Sequence, residues 1–436
     1  RTTPTAQTIT YTRNSLGQVT KAETKDGTGT VLVAYDYTYD TAHRLASVTD
    51  SRGNKTLNYS FSPGGWLSQV ADSDGHTNTY RYDAVGRLQS IIAPNGESTA
   101  YLWDAGGRLS QKWLSNGIQA NYTWNADNSL ARLENKAGAT TVSNHVYGYD
   151  AHGNRATQTE TVNASTKNWT YQYDAQNRIT QANDGTATNW TWDIFGNRRS
   201  QTIGANVLAY LNDDAHQLNE IRNGTDVGTL LAAFKYDANG NLTKKCDATS
   251  GGAVTQTTSD CTASGTGSST LTLAYDALDQ LIQANRSGQP NLSFAYDDQG
   301  RRIRKTGTVT THYLYNGSDI HAEYASPAGS PSAVYAHGPS VDDPIARLTG
   351  TTNTPDATAA YYHQDGLGSA IATTSSTGAI QASQRFDAWG NRISGTGTVP
   401  QYGYTGREPD ESGLEYYRAR YYDPQVGRFT QRDPLG

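Results

Sequence analysis

Aspartates that recur at a regular interval are the side chains in this chain that most invite a chemical role. Asp83, Asp104 and Asp150 each follow an aromatic residue and precede a Gly by a few positions, in copies of one short phrase. A carboxylate array could bind calcium or act in acid–base catalysis. Calcium loops, however, place several oxygen ligands at short fixed offsets, and no second carboxylate follows these aspartates at a constant distance. The pattern therefore predicts turns in which Asp accepts backbone N–H bonds.

Histidines do not form a recognisable site either. His43, His152 and His216 fall inside the same phrases, where other copies carry Gly or polar residues. The chain contains no HExxH motif, no clustered Cys/His spacing and no Gly-x-Ser-x-Gly elbow, phosphate loop or dinucleotide fingerprint. We therefore predict no metal site and no cofactor.

The two cysteines, Cys246 and Cys261, lie 15 residues apart in one Ser/Thr/Gly-rich stretch. Their isolation favours a local disulfide and with it an oxidising compartment. The alternative is a pair of free thiols in a surface loop.

Composition limits the class of protein. Hydrophobic residues make up 35% of the 436 positions, with 29 Tyr and 8 Trp against 6 Phe and no Met. Such a chain should fold around thin aromatic layers, because disordered segments are poor in aromatics. A net charge of −6 without a basic stripe argues against nucleic acid as a partner.

No apolar run is long enough for a membrane span, and the start of the chain does not resemble a signal peptide. Because Met is absent, we expect an interior or processed piece of a longer polypeptide, with any export signal upstream.

A repeat of about 21 residues organises the chain. Each copy reads aromatic, Asp, two or three small or polar residues, Gly or Asn, Arg or Asn, then Leu or Arg. The Asp slot falls at positions 40, 62, 83, 104 and 125. The clearest copies are YDTAHRL (39), YDAVGRL (82), WDAGGRL (103), WNADNSL (124), YDAHGNR (149), YDAQNRI (173), WDIFGNR (192), YDANGNL (236), YDALDQL (275), YDDQGRR (296) and FDAWGNR (386).

Each copy has the pattern of a β-hairpin. Around Tyr82 the side chains alternate, with Tyr80 and Tyr82 on one face of a strand. Asp83 can accept N–H bonds two residues on, and Gly86 supplies the positive φ of a tight turn. Because neighbouring hairpins must pair edge to edge, we predict an all-β fold with no helix of ten or more residues.

The period defines three regions. We assign residues 1–315 to the hairpin repeats, with a surface loop inserted at about 246–269. The repeat fades over 316–360, where several prolines predict an irregular connection. A different sequence pattern covers 361–436.

These residues resemble a known family. The YD phrases resemble the repeats of bacterial RHS/YD-repeat proteins and of animal teneurins. YYHQDGLGSAIATTSSTG (361–378), RFDAWGNR (385–392) and YGYTGREPDESGLEYYRARYYDPQVGRFTQRDPLG (402–436) are similar to the RHS repeat-associated core. The resemblance implies a long sheet that winds spirally into a hollow shell, a cocoon with the core at its C-terminal end. In bacterial members the shell surrounds a toxic C-terminal polypeptide, delivered by type VI secretion, by toxin complexes or from the cell surface.

The core also resembles an aspartyl self-cleaving element. The arginine of this element belongs to the RxRYYDP phrase, and the resemblance places it at Arg420. One of its two aspartates belongs to the DP-x-G phrase, and the resemblance places it at Asp433. The second aspartate would lie beyond Gly436, so we expect a truncated core and no activity in this chain. Two close carboxylates can divide the roles of acid and base, and an arginine can hold a carboxylate or polarise a carbonyl. The structural alternative is an Asx turn at Asp433 and an ion pair from Arg420 to Glu408 or Asp410.

The leading hypothesis is an encapsulating shell from a secreted or cell-surface bacterial toxin protein, with the enclosed C-terminal toxin and secretion or toxin-complex components as partners. An adhesin or carbohydrate-binding protein that presents Tyr and Trp to glycans is the alternative. An aspartyl autoprotease would belong to the longer protein.

Overall fold

The computed structural model describes residues 7–249, 251–349 and 358–433. Within these ranges the chain is built from β-strands, and its one helical element is a single 3₁₀ turn, η1 (Tyr404–Gly406). The prediction of an all-β fold without long helices is confirmed.

The described ranges contain 40 strands. The first fourteen are β1 (Thr8–Arg13), β2 (Val19–Lys25), β3 (Val31–Tyr39), β4 (Leu45–Asp50), β5 (Lys55–Phe61), β6 (Leu67–Asp72), β7 (Thr77–Tyr82), β8 (Leu88–Ile92), β9 (Ser98–Trp103), β10 (Leu109–Leu114), β11 (Ile118–Trp124), β12 (Leu130–Ala137), β13 (Thr140–Tyr149) and β14 (Arg155–Val162). The next fourteen are β15 (Ser165–Tyr173), β16 (Ile179–Asn183), β17 (Ala187–Trp192), β18 (Arg198–Ile203), β19 (Asn206–Asn212), β20 (Leu218–Asn223), β21 (Leu230–Tyr236), β22 (Leu242–Ala248), β23 (Gly252–Gln256), β24 (Cys261–Gly265), β25 (Ser268–Tyr275), β26 (Leu281–Arg286), β27 (Leu292–Tyr296) and β28 (Arg302–Thr306). The remaining strands are β29 (Thr310–Asn316), β30 (Asp319–Tyr324), β31 (Ala333–His337), β32 (Pro344–Leu348), β33 (Ala360–Gln364), β34 (Ala370–Thr374), β35 (Ile380–Phe386), β36 (Arg392–Thr396), β37 (Glu408–Pro409), β38 (Glu415–Tyr417), β39 (Arg420–Asp423) and β40 (Arg428–Phe429).

One antiparallel sheet dominates the described residues and holds 34 of these strands. From β1 to β36 each strand pairs with the next along the chain, as in β7 with β8 and β8 with β9. The exception is β22, which pairs directly with β25 across an inserted hairpin of β23 and β24. The sheet is therefore a continuous meander, as the repeat predicts.

The turn of each YD phrase follows the chemistry that the sequence indicates. Oδ1 of Asp83 accepts N–H bonds from Val85 at 3.0 Å and Arg87 at 2.9 Å, and Oδ2 accepts from Nε of Arg87 at 2.7 Å. Gly86 has φ 85°. The same cap, with Asn in place of Arg, forms at Asp237, where Nδ2 of Asn241 donates at 3.0 Å. The interpretation of the repeated aspartates as turn residues is confirmed.

Aromatic residues that open the phrases form a ladder along the sheet. In ten places within the described ranges, the polar atom of a Tyr or Trp ring donates to the backbone carbonyl of the first residue of an earlier strand, at distances from 2.6 to 3.0 Å. This explains why Tyr and Trp outnumber Phe, which has no donor. The ladder comprises Tyr39 to Val19, Trp103 to Leu88, Trp124 to Leu109, Tyr149 to Leu130, Tyr173 to Arg155, Trp192 to Ile179, Tyr236 to Leu218, Tyr275 to Leu242, Tyr296 to Leu281 and Tyr315 to Arg302.

The sheet curves back on itself, so strands far apart in the chain pack together. Ile91 and Ile118, from β8 and β11, share a buried cluster with Ile345 and Ile371, from β32 and β34. Smaller clusters join β5 and β6 to β29–β31, and β3 to β27 and β28. The accessible surface of 19982 Å² exceeds the roughly 16,000 Å² expected for a compact chain of this length. A spiralling sheet with much of both faces in solvent accounts for this excess.

Residues 316–360 differ from the prediction of an irregular connection. β30, β31 and β32 lie in this region and continue the main sheet. The prolines are compatible with strands here because Pro327, Pro331 and Pro339 lie between strands, while Pro344 is the first residue of β32, a position that Pro tolerates. Positions 350–357, with Pro355, lie outside the described residues.

The inserted segment at 246–269 also differs from a surface loop. β23 and β24 form a hairpin in register from Gly252↔Gly265 to Gln256↔Cys261. It packs on β21 and β22 through Val254 and Cys261 against Ala233 and Ala248. Val254, Cys261 and Ala263 share one face of the hairpin, and this face packs on the main sheet.

Candidate functional site

The C-terminal segment, residues 402–433, lies against the main sheet. Its four strands, β37 to β40, form a small antiparallel sheet. Leu414, Tyr416, Tyr421 and Val426 join a buried cluster with side chains of β19–β27. Hydrophobic packing therefore holds the segment in one position.

Strand alternation gives this small sheet two different faces. Tyr417 pairs with Arg420, and Glu415 pairs with Tyr422, so these four side chains share a face. Tyr416 and Tyr421 point the other way, where their hydroxyls meet groups of β27 and β28. The predicted site residue Arg420 thus lies on the face opposite to Tyr416 and Tyr421, the face on which Tyr422 donates to the carbonyl of Trp389.

The structure brings Arg420 and Asp433 together. Nη2 of Arg420 lies 3.1 Å from Oδ2 of Asp433, and the side chains are 23% and 48% exposed. The guanidinium carbon lies 3.8 Å from the centre of the Phe429 ring, which fixes its direction by a cation–π contact. Residues 434–436, with Pro434, lie outside the described residues. An arginine held in this way can bind a carboxylate or polarise a nearby carbonyl.

Glu408 and Asp410 pair with Arg302 and not with Arg420. Arg302 is fully buried; its Nη2 lies 2.8 Å from Glu408 Oε2 and its Nη1 lies 2.6 Å from Asp410 Oδ2. Lys305 adds a contact of 3.2 Å to Asp410. Burial raises the pKa of Glu408, and Arg302 acts in the opposite direction. The structural alternative for Arg420, a pair with either carboxylate, is therefore wrong for this structure.

A second buried cation attaches the segment to the sheet. Nζ of Lys245, in β22, lies 2.9 Å from Oδ2 of Asp423 and 2.7 Å from Oε1 of Gln425. The side chains of Lys245 and Asp423 are 2% and 1% exposed. Two cations of the main sheet therefore neutralise carboxylates of the C-terminal segment.

Sequence reasoning missed both of these cations. Arg302 closes the phrase YDDQGRR at a slot that is Leu in some copies and Arg in others, as at Arg155 and Arg198. The residue type at this slot therefore does not single out Arg302 as buried, and Lys245 carries no signal either.

Glu415 is a buried acid in the same segment. Burial, followed by the nearby charge of Asp387, raises the pKa of Glu415 to about 8. Its Oε2 has no hydrogen-bond partner among the described residues. The group is therefore largely protonated at neutral pH and can donate a proton.

The two cysteines join the inserted hairpin to the sheet. Cys246 and Cys261 form a disulfide in the structure, with their Cα atoms 6.1 Å apart. The bond connects β22, whose Lys245 contacts the C-terminal segment, to β24.

A cavity opens between β13–β16 and the turns of the second half of the sheet. Its volume is about 340 Å³, within the range of small-ligand pockets. Tyr171, Tyr173 and Phe386 line it together with Arg155 and Gln158. Rings and hydrogen-bonding groups of this kind can hold a sugar.

The described residues contain no group of three or more His, Cys, Asp or Glu side chains arranged to hold a metal ion. They also contain no helix with the length and apolar character needed to cross a membrane.

A family model described as the teneurin YD-shell matches residues 2–105 and 114–435. This chain belongs to the teneurin YD-shell family. Its RHS/YD-repeat character, predicted from the phrases, is confirmed.

Curated relatives of this YD-shell chain include toxins. The tRNA3(Ser)-specific nuclease WapA of Bacillus spizizenii is 30% identical over 262 residues, which cover 58% of this chain and 10% of the relative. The double-stranded DNA deaminase toxin A of Burkholderia cenocepacia is 28% identical over 328 residues, which cover 66% of this chain and 20% of the relative. The chain thus corresponds to a small part of these longer proteins.

Solved structures share the fold. The TcdB2-TccC3-Cdc42 crystal structure matches with a TM-score of 0.62 at 16% identity, over 99% of this chain and 25% of that chain. The Photorhabdus luminescens Tc holotoxin pore matches with a TM-score of 0.55 at 13% identity, also over 99% of this chain and 25% of that chain. The predicted shell fold, a long spiralling sheet, is confirmed at the level of architecture.

Proposed function

We propose that this chain is part of the shell of a secreted bacterial RHS-repeat toxin protein and shields a C-terminal polypeptide cargo until delivery. The observation that carries the proposal is the YD-shell match along the chain. Relatives with nuclease and deaminase names support a toxic cargo. The large accessible surface supports a sheet arranged around a space.

We further propose that the C-terminal segment belongs to an aspartyl self-cleavage centre in the longer protein. Arg420 orients Asp433, and a second carboxylate further along the polypeptide completes the pair. One carboxylate then accepts a proton from water while the other donates one to the departing amine. A single catalytic carboxylate cannot take both roles, so we expect no self-cleavage without the second one.

The test uses the natural polypeptide that continues beyond Gly436. We expect the extended protein to cleave itself near the end of the core, and its Asp433→Asn variant to stay intact, because Asn keeps the shape but cannot accept the proton. Arg420→Ala should slow cleavage.

Asp213→Asn, in an exposed turn of the main sheet, is the matched control and should cleave normally. Circular dichroism of each variant separates loss of chemistry from loss of folding. Normal cleavage by a folded Asp433→Asn protein would show that Asp433 is a turn residue and not a catalyst.

The adhesin alternative has one supporting observation, the aromatic cavity lined by Tyr171, Tyr173 and Phe386. Glycan-array binding by the purified chain that disappears in Tyr171→Ala would favour it. The shell proposal expects no such binding.

A further inference from the structure

Three buried side chains connect distant parts of the sheet at the turn between β6 and β7. Oδ2 of Asp72 lies 3.0 Å from Nδ1 of His76 in the same turn and 3.0 Å from Nε2 of His321 in β30. His321 is 249 residues away along the chain. We call Asp72, His76 and His321 the Asp72 clamp. It is a polar crosslink inside the contact between the two halves of the sheet.

We propose that the Asp72 clamp is an acid-strengthened lock that holds the two halves of the shell together. A ring N–H of each histidine donates to the carboxylate of Asp72. When His76 gains a proton, its contact with Asp72 becomes an ion pair and gains Coulomb attraction, which is strong in a buried site. The lock therefore tightens when His76 gains its proton.

Charged groups of both signs surround the clamp. Asp74 lies in the same turn and contacts Lys55 of β5, with 2.6 Å between Nζ and Oδ1. The hydroxyl of Tyr324, in β30, lies 3.0 Å from Oδ2 of Asp74. Lys55 also donates to the carbonyl of Gly329 at 2.8 Å, a second bridge between the halves. Asp74 raises the pKa of His76 and Lys55 lowers it, both less than the bond to Asp72 does. Asp72 in turn acts on Tyr324, and His321 acts on His337.

The expected direction of the pH effect follows from two of the groups. The hydrogen bond to Asp72 raises the pKa of His76. The stability that His76 contributes is therefore full below the ordinary histidine pKa. It is lost as pH rises through the higher pKa of the folded protein. Burial would raise the pKa of Asp72, but the bonds from His321 and His76 outweigh burial and lower it. The contribution of Asp72 is thus lost only in strong acid. The lock should be tightest between about pH 4 and pH 6.5.

Other buried histidines do not behave in this way. Burial lowers the pKa of His145 and of His363 to about 3. They stay neutral in the folded protein but gain protons in the unfolded chain, so they lower the free energy of unfolding as pH falls from 8 to 5.5. This effect is common to the wild type and the variants, so the comparison between them isolates the clamp.

The experiment compares the full chain with a double variant, His76→Asn with His321→Gln. Asn and Gln place amide N–H donors near the positions of Nδ1 and Nε2 but cannot become charged. The measurement is hydrogen exchange in peptides covering 67–82 and 319–324 at pH 5.5 and pH 8, corrected for intrinsic exchange. We expect these peptides of the wild type to be protected about five-fold more at pH 5.5, and the double variant to show no such gain.

His152→Gln, at an exposed turn position, is the control and should behave like the wild type. Asp72→Asn removes the anion and should also abolish the gain; thermal unfolding at both pH values shows whether it still folds. Equal pH dependence in the wild type and the folded double variant would overturn the proposal. The outcome is independent of cargo and cleavage, because neither is measured.

Discussion

Buried charges on single residues decide how the C-terminal segment is held. Arg302 faces Glu408 and Asp410, and Lys245 faces Asp423, all inside the protein. Removing one partner of such a pair leaves the other charge buried without compensation, which costs far more than losing an exposed pair. The attachment of the segment therefore depends more on Arg302 than on Arg420.

Arg302→Met should weaken this attachment by about 3–5 kcal/mol. We expect the segment to become sensitive to limited proteolysis between 408 and 423, while the repeats resist. Arg420→Met is the matched control, because its ion pair is partly exposed and such pairs contribute about 0–1 kcal/mol. Equal protease resistance in both variants would contradict the role of Arg302.

Glu415 should lower the free energy of unfolding as pH rises. A carboxylate in a salt bridge has the opposite effect, because its pKa is lowered in the folded protein. The pKa of Glu415, about 8 in the folded protein, exceeds the unfolded value near 4.3. Stability is therefore lost as pH rises between these values, because the unfolded chain ionises freely while the folded one does not. Glu415→Gln should remove this loss and raise the melting temperature at pH 7.5 more than at pH 5. Identical shifts at both pH values would mean that Glu415 does not titrate in this way.

The repeating hairpin is stabilised by the same few bonds in each copy. Asp caps the turn, and the aromatic ladder ties each phrase to the previous one through a side-chain donor and a backbone carbonyl. The carbonyl that accepts the bond belongs to the first residue of a strand, where the backbone hydrogen bonds of the sheet leave it available. Tyr and Trp are therefore structural donors as well as apolar surface.

Tyr236→Phe should lower the free energy of unfolding by about 1 kcal/mol. The change removes the 3.0 Å bond to the carbonyl of Leu218 and keeps the ring. Tyr59→Phe, at a tyrosine outside the ladder, is the control and should have a smaller effect. Denaturant unfolding measures both, and equal losses would argue against a special role for the ladder.

The inserted hairpin should depend on its disulfide. Peptide mapping without reductant should recover Cys246 linked to Cys261, and reduction should increase exchange in 252–265 while the sheet stays protected. Closing a loop of this size stabilises by about 3 kcal/mol, in addition to the small buried cluster around Val254. Both thiols reacting freely with an alkylating agent in native, oxidised protein would refute the bond.

The whole chain should behave as a curved sheet and not as a solid globule. Scattering should give a radius of gyration above the roughly 22 Å of a compact chain of this length. Circular dichroism should show abundant strand and almost no helix. A compact particle, or several separate globular bodies, would contradict the shell.

Short-range features of the molecule follow from the repeats themselves. The hairpins, the Asp-capped turns with their positive-φ Gly and the order of strands depend on residues within about one period. A pattern repeated eleven times leaves little ambiguity about such local structure. Arg420 and Asp433 could be selected only through the family resemblance, because nothing local distinguishes them from other ion pairs.

Long-range contacts were decided by the tertiary structure alone. The pairing of Arg302 and Lys245 with the C-terminal segment, and the meeting of Asp72 with His321, join residues whose separation in the chain has no local signature. Burial gives these charges their partners and shifts the pKa of Glu415, and burial depends on how far the sheet curves before it meets itself. That curvature accumulates from the small twist of every strand pair, so no single stretch of sequence specifies it.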